Sequence, residues 1–534
     1  QLQRLDRQPL QQCGPSAQGL LEVQLAGHGA LGDRGNLLAH ASGLGQFVDD
    51  FGFDPELTDK VFLALLRPLY RSWFRVETTG LEHVPSDSGA LIVGNHSGVI
   101  ALDAAMTQVA LHDEHPAHRH LRMLGANLVF QTPVMGEIAR QLGLDPLAVR
   151  ERNLYGTTER NTTHYGTTVT DNILQPLISQ LAHDCHYAQR RAEIQAWNQT
   201  QPTLQRGLAL TPVKFGISFT ATQFNQAGAL VHIYTDGSVL VNHGGIEMGQ
   251  GLHTKVALIV AHTLGISAKR VKVSASDTDK IPNASATAAS SGTDLNGRAA
   301  EFAARHVRSN LAQFVATLDG CTPDEVRFEN DLIHTPSREH RFDDIVSQAY
   351  TQRVQLWSDG FYRTPKIHYD KHTLSGTPFY YFAYGAACTE VAIDTLTGES
   401  KVLRVDILHD VGTSIHEAID IGQIEGGFIQ GMGWLTTEEL VWGEQGALRT
   451  HAPSTYKIPT VGDTPAHFSI KLWHEANRED NVMGSKAVGE PPFMLALSVL
   501  EALRDAVAQA RGDAQPVQLN APATPERVLW ALHT

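Results

Sequence analysis

Glu490 stands between Gly489 and the pair Pro491-Pro492 in the stretch GSKAVGEPPFMLALSVLEALRDAV, at the mouth of a long apolar run. The two prolines stiffen the turn and suit the first positions of a helix, where a missing N–H costs little. A glutamate at that end sits near the positive pole of the helix dipole, which favours its ionised, proton-accepting form. Two roles follow from the local sequence: a solvated helix cap, or a general base aimed at a substrate.

Two further stretches are built to let backbone approach a ligand. In HGGIEMGQGLHTKVALIVAHTLGI, Gly244, Gly245, Gly249 and Gly251 crowd the entrance of a helix whose apolar residues begin at Leu252. Their N–H groups are expected to meet an anionic ligand such as a phosphate-bearing cofactor. The spacing is not GxGxxG, and Lys255 is not placed as in a phosphate-binding P-loop. A close-packed turn is the alternative. PNASATAASSGTDLNG, from Pro282 to Gly297, consists almost entirely of small and hydroxylated residues. It reads either as backbone pressed against a ligand or as a flexible loop.

Composition limits what such a site can serve. The chain has 534 residues, 42% hydrophobic and 19% charged, enough to bury a large core in more than one domain. A formal net charge of −15 speaks against a nucleic-acid partner, since nothing concentrates Lys and Arg into a phosphate-neutralising stripe. Cys13, Cys185, Cys321 and Cys388 form no CxxC pair, so neither an iron–sulfur nor a zinc motif is expected, and scattered thiols suit a reducing cytoplasm. No apolar run approaches the ~18 residues of a membrane span. The first residue is Gln, which suggests a fragment.

The elements that must position these residues change character along the chain. Residues 1–50 form an unassigned leader. An amphipathic helix is expected over Pro55–Phe74, and ALIVGNH, Ala90 to His96, reads as a buried strand entering the loop NHSGVIALD. Past residue 142, GALVHIYTDGSVLVNHGG is a hairpin around Asp236-Gly237, and TEVAIDTLTGESKVLRVDIL repeats the device around Gly398. DIGQIEGGFIQGMGWLTTEEL and PPFMLALSVLEALRDAVAQA read as helices. Strand pairs alternate with long helices without a βαβ rhythm, so the class is α+β.

Taken together, GGIEMGQGLHTK, PNASATAASSGTDLNG, KFGISFT, YFAYGAACTEV, AIDIGQIEGGFIQGMG, THAPSTYKIP and SKAVGEPP resemble the molybdenum-binding region of the xanthine dehydrogenase and aldehyde oxidase family. The resemblance runs in order from about Leu142 to near Arg511. It implies a molybdenum–molybdopterin cofactor and oxidation of a purine, a related heterocycle or an aldehyde. In that family a Mo–OH group attacks an electron-poor carbon and hydride passes to a sulfido ligand, while a glutamate takes the Mo–OH proton. Glu490 matches that base. The resemblance places Gly249, Gln250, Thr287, Ala288, Ala289, Ser290 and Gln430 against the cofactor, with Ala289 nearest the metal. It places Phe219 and Thr220 in the wall that holds the substrate, where an aromatic face suits a flat heterocycle.

The family's region is longer, and its first half carries GFGGKE-like and RGFGxPQ-like stretches and a metal-facing glutamine that have no counterpart here. With them go a second substrate phenylalanine and the residues that orient a purine. Iron–sulfur clusters and FAD are expected only on partner subunits, which makes a hetero-oligomer. Residues 51–141 instead resemble the glycerolipid-type acyltransferases through FGFDPELTDKV, LLRPLYRSWFRVE, ALIVGNHSGVIALDAAM and LVFQTPVMGEIAR. There His96 matches the general base and Asp103 the residue that orients it, with a longer gap between them than is usual in that family. The resemblance implies that residues 142–534 form the molybdopterin-binding domain. The two resemblances meet near EIARQLG, which reads as a join inside one helix rather than in an exposed linker. A truncated or chimeric chain is the expectation from that join, with lipid acyl transfer or no catalysis as the alternatives to a molybdenum hydroxylase.

Overall fold

The computed structural model describes residues 63–73, 102–118 and 144–533 except 275, 282 and 514–516, with single positions between 76 and 86. The chain divides into two compact units, residues 1–132 and 133–534.

In the first unit, helix α1 (Ala64–Pro68) passes into a π-helical turn over Leu69–Trp73, and a second helix follows, α2 (Leu102–Asp113). Pro68 has no N–H to continue the α-helical ladder, so the change of winding falls where the sequence demands it. Leu63, Tyr70, Met106, Val109 and Ala110 form a small core. Arg67 grips Asp113 at 2.9 Å and Arg71 does so at 3.0 Å. The Arg67 hydrogen bond, chiefly, holds the Asp113 carboxyl down to about 2. The described part of the helix expected over Pro55–Phe74 is thus helical, whereas the strand expected over Ala90–His96 lies outside the described residues.

The second unit opens with helices α3 (Pro146–Arg152), α4 (Leu174–Asp184) and α5 (Tyr187–Thr200). There follow β1 (Leu204–Ile217), β2 (Gln226–Ile233), β3 (Val239–His243), α6 (Leu252–Leu264), β4 (Val271–Val273) and α7 (Arg298–Asp319). A small antiparallel sheet of β5 (Arg327–Glu329), β6 (Leu332–His334) and β7 (Glu339–Arg341) leads into α8 (Phe342–Thr351) and β8 (Trp357–Arg363). After a short pair, β9 (His368–Asp370) and β10 (Ser375–Thr377), come β11 (Tyr381–Asp394), β12 (Ser400–Asp410), α9 (Glu417–Thr436) and β13 (His467–Trp473). The last helices are α10 (Pro491–Leu495), α11 (Leu497–Arg511) and α12 (Pro525–His533).

Two four-stranded sheets organise this unit, with strand orders β4-β3-β2-β8 and β1-β11-β12-β13. Both expected hairpins are present: β2 pairs antiparallel with β3, and β11 with β12. Their turns carry Gly237 and Gly398 at positive φ, 77° and 75°. The absence of a βαβ rhythm needs correction, because each sheet has one parallel pair: β3 with β4 across α6, and β12 with β13 across α9. Both added strands lie at sheet edges and are only partly covered, so neither shows the apolar run of a buried parallel strand. The mixture of antiparallel pairs and helices keeps the class α+β.

Each sheet carries one long helix seated on a glycine. At Gly207 in β1 a Cβ would collide with the carbonyl oxygen of Ala502 and lie 2.5 Å from the nitrogen of Ala506, both in α11. At Gly360 in β8 it would collide with the carbonyl oxygen of Ala299 and lie 2.6 Å from the nitrogen of Ala303, both in α7. The partners are backbone atoms, which cannot swing aside, so α7 and α11 rest directly on the strands. Around these seats lie two apolar cores, one holding Val231, Val256 and Leu311, the other Val405, Phe428 and Val499. We expect Gly207→Ala and Gly360→Ala each to cost about 2 kcal/mol or more through overpacking. Each should lower the urea midpoint; a variant with the parental midpoint would contradict the backbone seat.

Candidate functional site

Glu490 occupies the N-cap position of α10 at φ +66°, with the two prolines at the first helical positions. Its side chain makes no capping bond. Instead, Oε1 accepts a hydrogen bond from the Ser290 hydroxyl at 3.0 Å and a longer approach from the Ser290 N–H at 3.5 Å. The capping role is therefore excluded. The long helix expected after the prolines is broken at Ala496 into α10, five residues long, and α11. So short a first helix leaves the dipole argument without a basis.

Gly489 explains how the carboxylate reaches Ser290. A Cβ there would overlap Ala289 and lie 2.6 Å from its carbonyl carbon and oxygen, so the two loops touch backbone to backbone. The small-residue stretch is thus packed against protein at several points. Gly244 leaves no room beside Ala284, and the Ile246 N–H donates to the Thr287 hydroxyl at 3.0 Å.

A cleft of ≈ 580 Å³ opens beside this contact, lined by Ala289, Gln423, Gln430, Gly489, Glu490 and Phe493 among others. A second, narrower pocket shares Ala289, Gln423 and Gly489 with it and adds Gln250, Lys255, Ser290, Asp294 and Lys486. The structure therefore gathers Glu490, Gln430, Ala289, Ser290 and Gln250 around one pair of loops. Gly249 is close by, its carbonyl accepting from Gln423 Nε2 at 3.4 Å. The carbonyl of Ala288 is used internally, taking the N–H groups of Ser291 and Gly292. Phe219 and Thr220 do not line the cleft, where the aromatic residues are Phe215 and Phe493. Phe219 is held by the buried side chain of Asn225, which accepts its N–H and donates to its carbonyl, both at 2.8 Å. Gln423 was not anticipated, although it lies seven residues before Gln430, on the same face of α9, and that period was readable. His96 lies outside the described residues, and Asp103 falls in the first turn of α2.

The glycine loop departs from its expected use. Glu247 turns back on it, and its carboxylate accepts the N–H groups of Gly249, Gly251 and His253 at 2.9, 3.0 and 3.0 Å. Burial opposes the charge, yet these three donors outweigh it and hold the Glu247 carboxyl below its usual value. Of the four glycine amides read as an anion cradle, those of Gly249 and Gly251 are occupied by the chain's own anion, and that of Gly245 donates to His243 Nδ1 at 3.1 Å.

Behind the pockets lie buried charges that sequence did not single out. Lys255 is paired with Asp420, and Lys486 with Asp410 at 2.6 Å. Asp294 accepts from the Tyr381 hydroxyl at 2.6 Å and from Asn481 Nδ2 at 2.8 Å, and burial raises its carboxyl to about 6 despite both donors. His409, on β12, is 0% exposed and neither ring nitrogen has a partner. Burial and the neighbouring Lys486 push it down to about 3, while burial and His253 push His243 down to about 4. Among the described residues no group of three or more His, Cys, Asp or Glu is placed to hold a metal ion, and no helix is long and apolar enough to cross a membrane.

Solved structures share this fold. Quinoline 2-oxidoreductase from Pseudomonas putida superposes with a TM-score of 0.65 at 24% identity, covering 76% of this chain and 51% of that one. Aldehyde oxidoreductase from Desulfovibrio desulfuricans gives 0.60 at 23%, covering 75% and 39%. The second unit is thus an α+β domain of the type these oxidoreductases contain. The family model for the molybdopterin cofactor-binding domain matches residues 180–465, and the chain belongs to that family. Xanthine dehydrogenase/oxidase of Gallus gallus is 42% identical over 397 residues, and xanthine dehydrogenase of Oryza sativa subsp. japonica 42% over 404, each covering 74% of this chain. The chain spans only 28% of the length of those relatives. A model for acyltransferases matches residues 75–173. The end of that match already belongs to the second unit's core, where Leu147, Val169 and Ile173 pack with Leu177 and Tyr384.

His409 and His243 give the unit a defined response to acid. A histidine whose folded pKa is depressed binds its proton only in the unfolded chain, so stability is lost as pH falls below about 6.5. Each contributes a loss of about 2 kcal/mol between pH 7 and 5, and Asp294, with its raised carboxyl, contributes a smaller change of opposite sign. Urea midpoints measured across that range should fall with acid, and His409→Leu should flatten the slope; an unchanged slope would contradict a neutral buried His409.

Proposed function

We propose that this chain is the cofactor-holding part of a molybdenum hydroxylase of xanthine dehydrogenase type, acting on a purine, a related heterocycle or an aldehyde. One observation carries the reading: a glutamate that caps nothing is fixed by Ser290 at the edge of a cleft lined by Ala289, Gln423, Gln430 and Gly489. The donor set suits molybdopterin. The amide of Gln430 can offer both a donor and an acceptor to the edge of a pterin. Gln250 is instead turned onto its own loop, its Oε1 accepting the Met248 N–H and its Nε2 donating to the Ile246 carbonyl, and Gln423 Nε2 donates to the Gly249 carbonyl. Ala289, Gly426, Gly427 and Gly489 leave the cleft wall close to bare backbone.

When bound, the molybdenum cofactor supplies the redox centre that takes two electrons from the substrate carbon. The chain's own residues handle the proton and the geometry. Ser290 engages Oε1 of Glu490, which leaves Oε2 to accept a proton from the reacting oxygen. Phe493 and Pro492 present an apolar wall beside the carboxylate. Phe219 and Thr220 keep their proposed place in the substrate wall on the family resemblance alone, since neither lines this cleft. Electrons would leave through a partner subunit carrying iron–sulfur clusters and FAD, in a cytoplasmic hetero-oligomer. We place the molybdopterin-binding domain at residues 142–534, after an acyltransferase-like segment at 51–141 and a leader at 1–50. Asp145 supports that boundary, since it caps α3 and bonds the Tyr187 hydroxyl at 3.0 Å and Arg191 at 2.9 Å within the second unit.

Purified protein should contain molybdenum and pterin, with xanthine-dependent dye reduction by the isolated chain weak or absent. Glu490→Gln should retain both components and abolish any turnover found, a loss of about 10²–10⁴-fold, the range of a general base. An active Gln variant would refute the role of Glu490; protein without molybdenum or pterin would refute the cofactor.

A further inference from the structure

We propose that Tyr381 is a positioning residue for Glu490, its hydroxyl clamping the 485–490 turn to the loop that carries Ala289 and Ser290. This rests on the reading of Glu490 as the base. Tyr381 begins β11 and is 3% exposed. Its hydroxyl oxygen accepts the Ala487 N–H at 2.8 Å, and its proton is donated to Asp294 Oδ2 at 2.6 Å. The other oxygen of Asp294 accepts from Asn481 Nδ2 at 2.8 Å, and the same amide donates to the Ser485 carbonyl at 2.9 Å. Two points of the turn, Ser485 and Ala487, are therefore tied to one buried carboxylate.

Asp294 lies in the π-helical turn Thr293–Gly297, which begins three positions after Ser290. The hydroxyl thus joins from behind the two loops that meet in front through Gly489 against Ala289 and Ser290 on Glu490. Glu490 needs that support. Its φ of +66° is a conformation that a glutamate holds only when its surroundings impose it. Only Val488 and Gly489 separate Ala487 from Glu490, so a turn released at Ala487 can relax that angle and carry the carboxylate off Ser290. The ring of Tyr381 packs with Ile217, Ala383 and Ala487 independently of its hydroxyl. Deleting the oxygen alone therefore isolates the clamp from the core.

The test uses the full chain with Tyr381→Phe, read first by amide hydrogen exchange, which needs neither cofactor nor turnover. Exchange across 486–490 should accelerate roughly tenfold, the loss of about one hydrogen bond, with the rest of β11 and α11 unchanged. Where turnover is present, kcat should fall with KM little changed and the pH profile should move, because the base is displaced while binding surfaces stay. Should the Phe variant fail to fold, Asp294→Ala removes the clamp from its other end and should loosen the same segment. Parental exchange at 486–490, or acceleration spread over the whole unit, would overturn the proposal. Molybdenum and pterin content, measured in parallel, reports separately on the functional reading, so loosening without cofactor would leave the clamp standing and remove its catalytic purpose.

Discussion

The site depends on a single close approach, the backbone of Gly489 against that of Ala289. Without it the Ser290 hydroxyl could not reach Glu490, and the cleft and the inner pocket would not share a wall. That approach requires the two loops to arrive at the same height from different sheets. β11 and the 485–490 turn belong with the sheet under α11, whereas the small-residue loop leads into α7, seated on the other sheet. The glycine seats at Gly207 and Gly360 fix those helices at backbone distance from their strands, and so set where the loops can meet.

The polar interior behind the loops is organised by the same economy of space. Lys255 with Asp420, Lys486 with Asp410, and Asp294 with Tyr381 and Asn481 are buried groups with defined partners, as buried charge requires. His409 differs: Gly385 leaves it a place in the core but offers it no hydrogen bond, so it stays neutral. The charged groups named here are paired, whereas both ring nitrogens of His409, within the sheet, are not.

Much of the fold was legible because local rules agree with it. Asp236-Gly237 and Gly398 announced their hairpins through positive φ, and the apolar period of α9 and α11 announced helices. The parallel strands β4 and β13 were not legible, since three half-exposed residues, or seven at an edge, carry no buried-strand pattern. At the site, the residue types at Glu490, Ala289, Ser290, Gln250 and Gln430 pointed to one place only jointly, as a set of motifs. Glu247 was missed because a carboxylate two residues from a glycine looks solvated in sequence, and only the fold of the loop shows three amides converging on it. Tyr381 and Asp294 lie 87 positions apart, a separation that no periodicity can bridge.

The carboxylate of Glu247 has a wider consequence for how this domain would grip a ligand. By spending its own negative charge on the N-terminus of α6, the chain cancels the feature that would have drawn in an anion. What remains facing the pockets is chiefly neutral amide and backbone, with the nearby lysines already matched to aspartates. Recognition would then rest on shape and short-range hydrogen bonds, and its strength would vary little with ionic strength, unlike that of a site built on open charge.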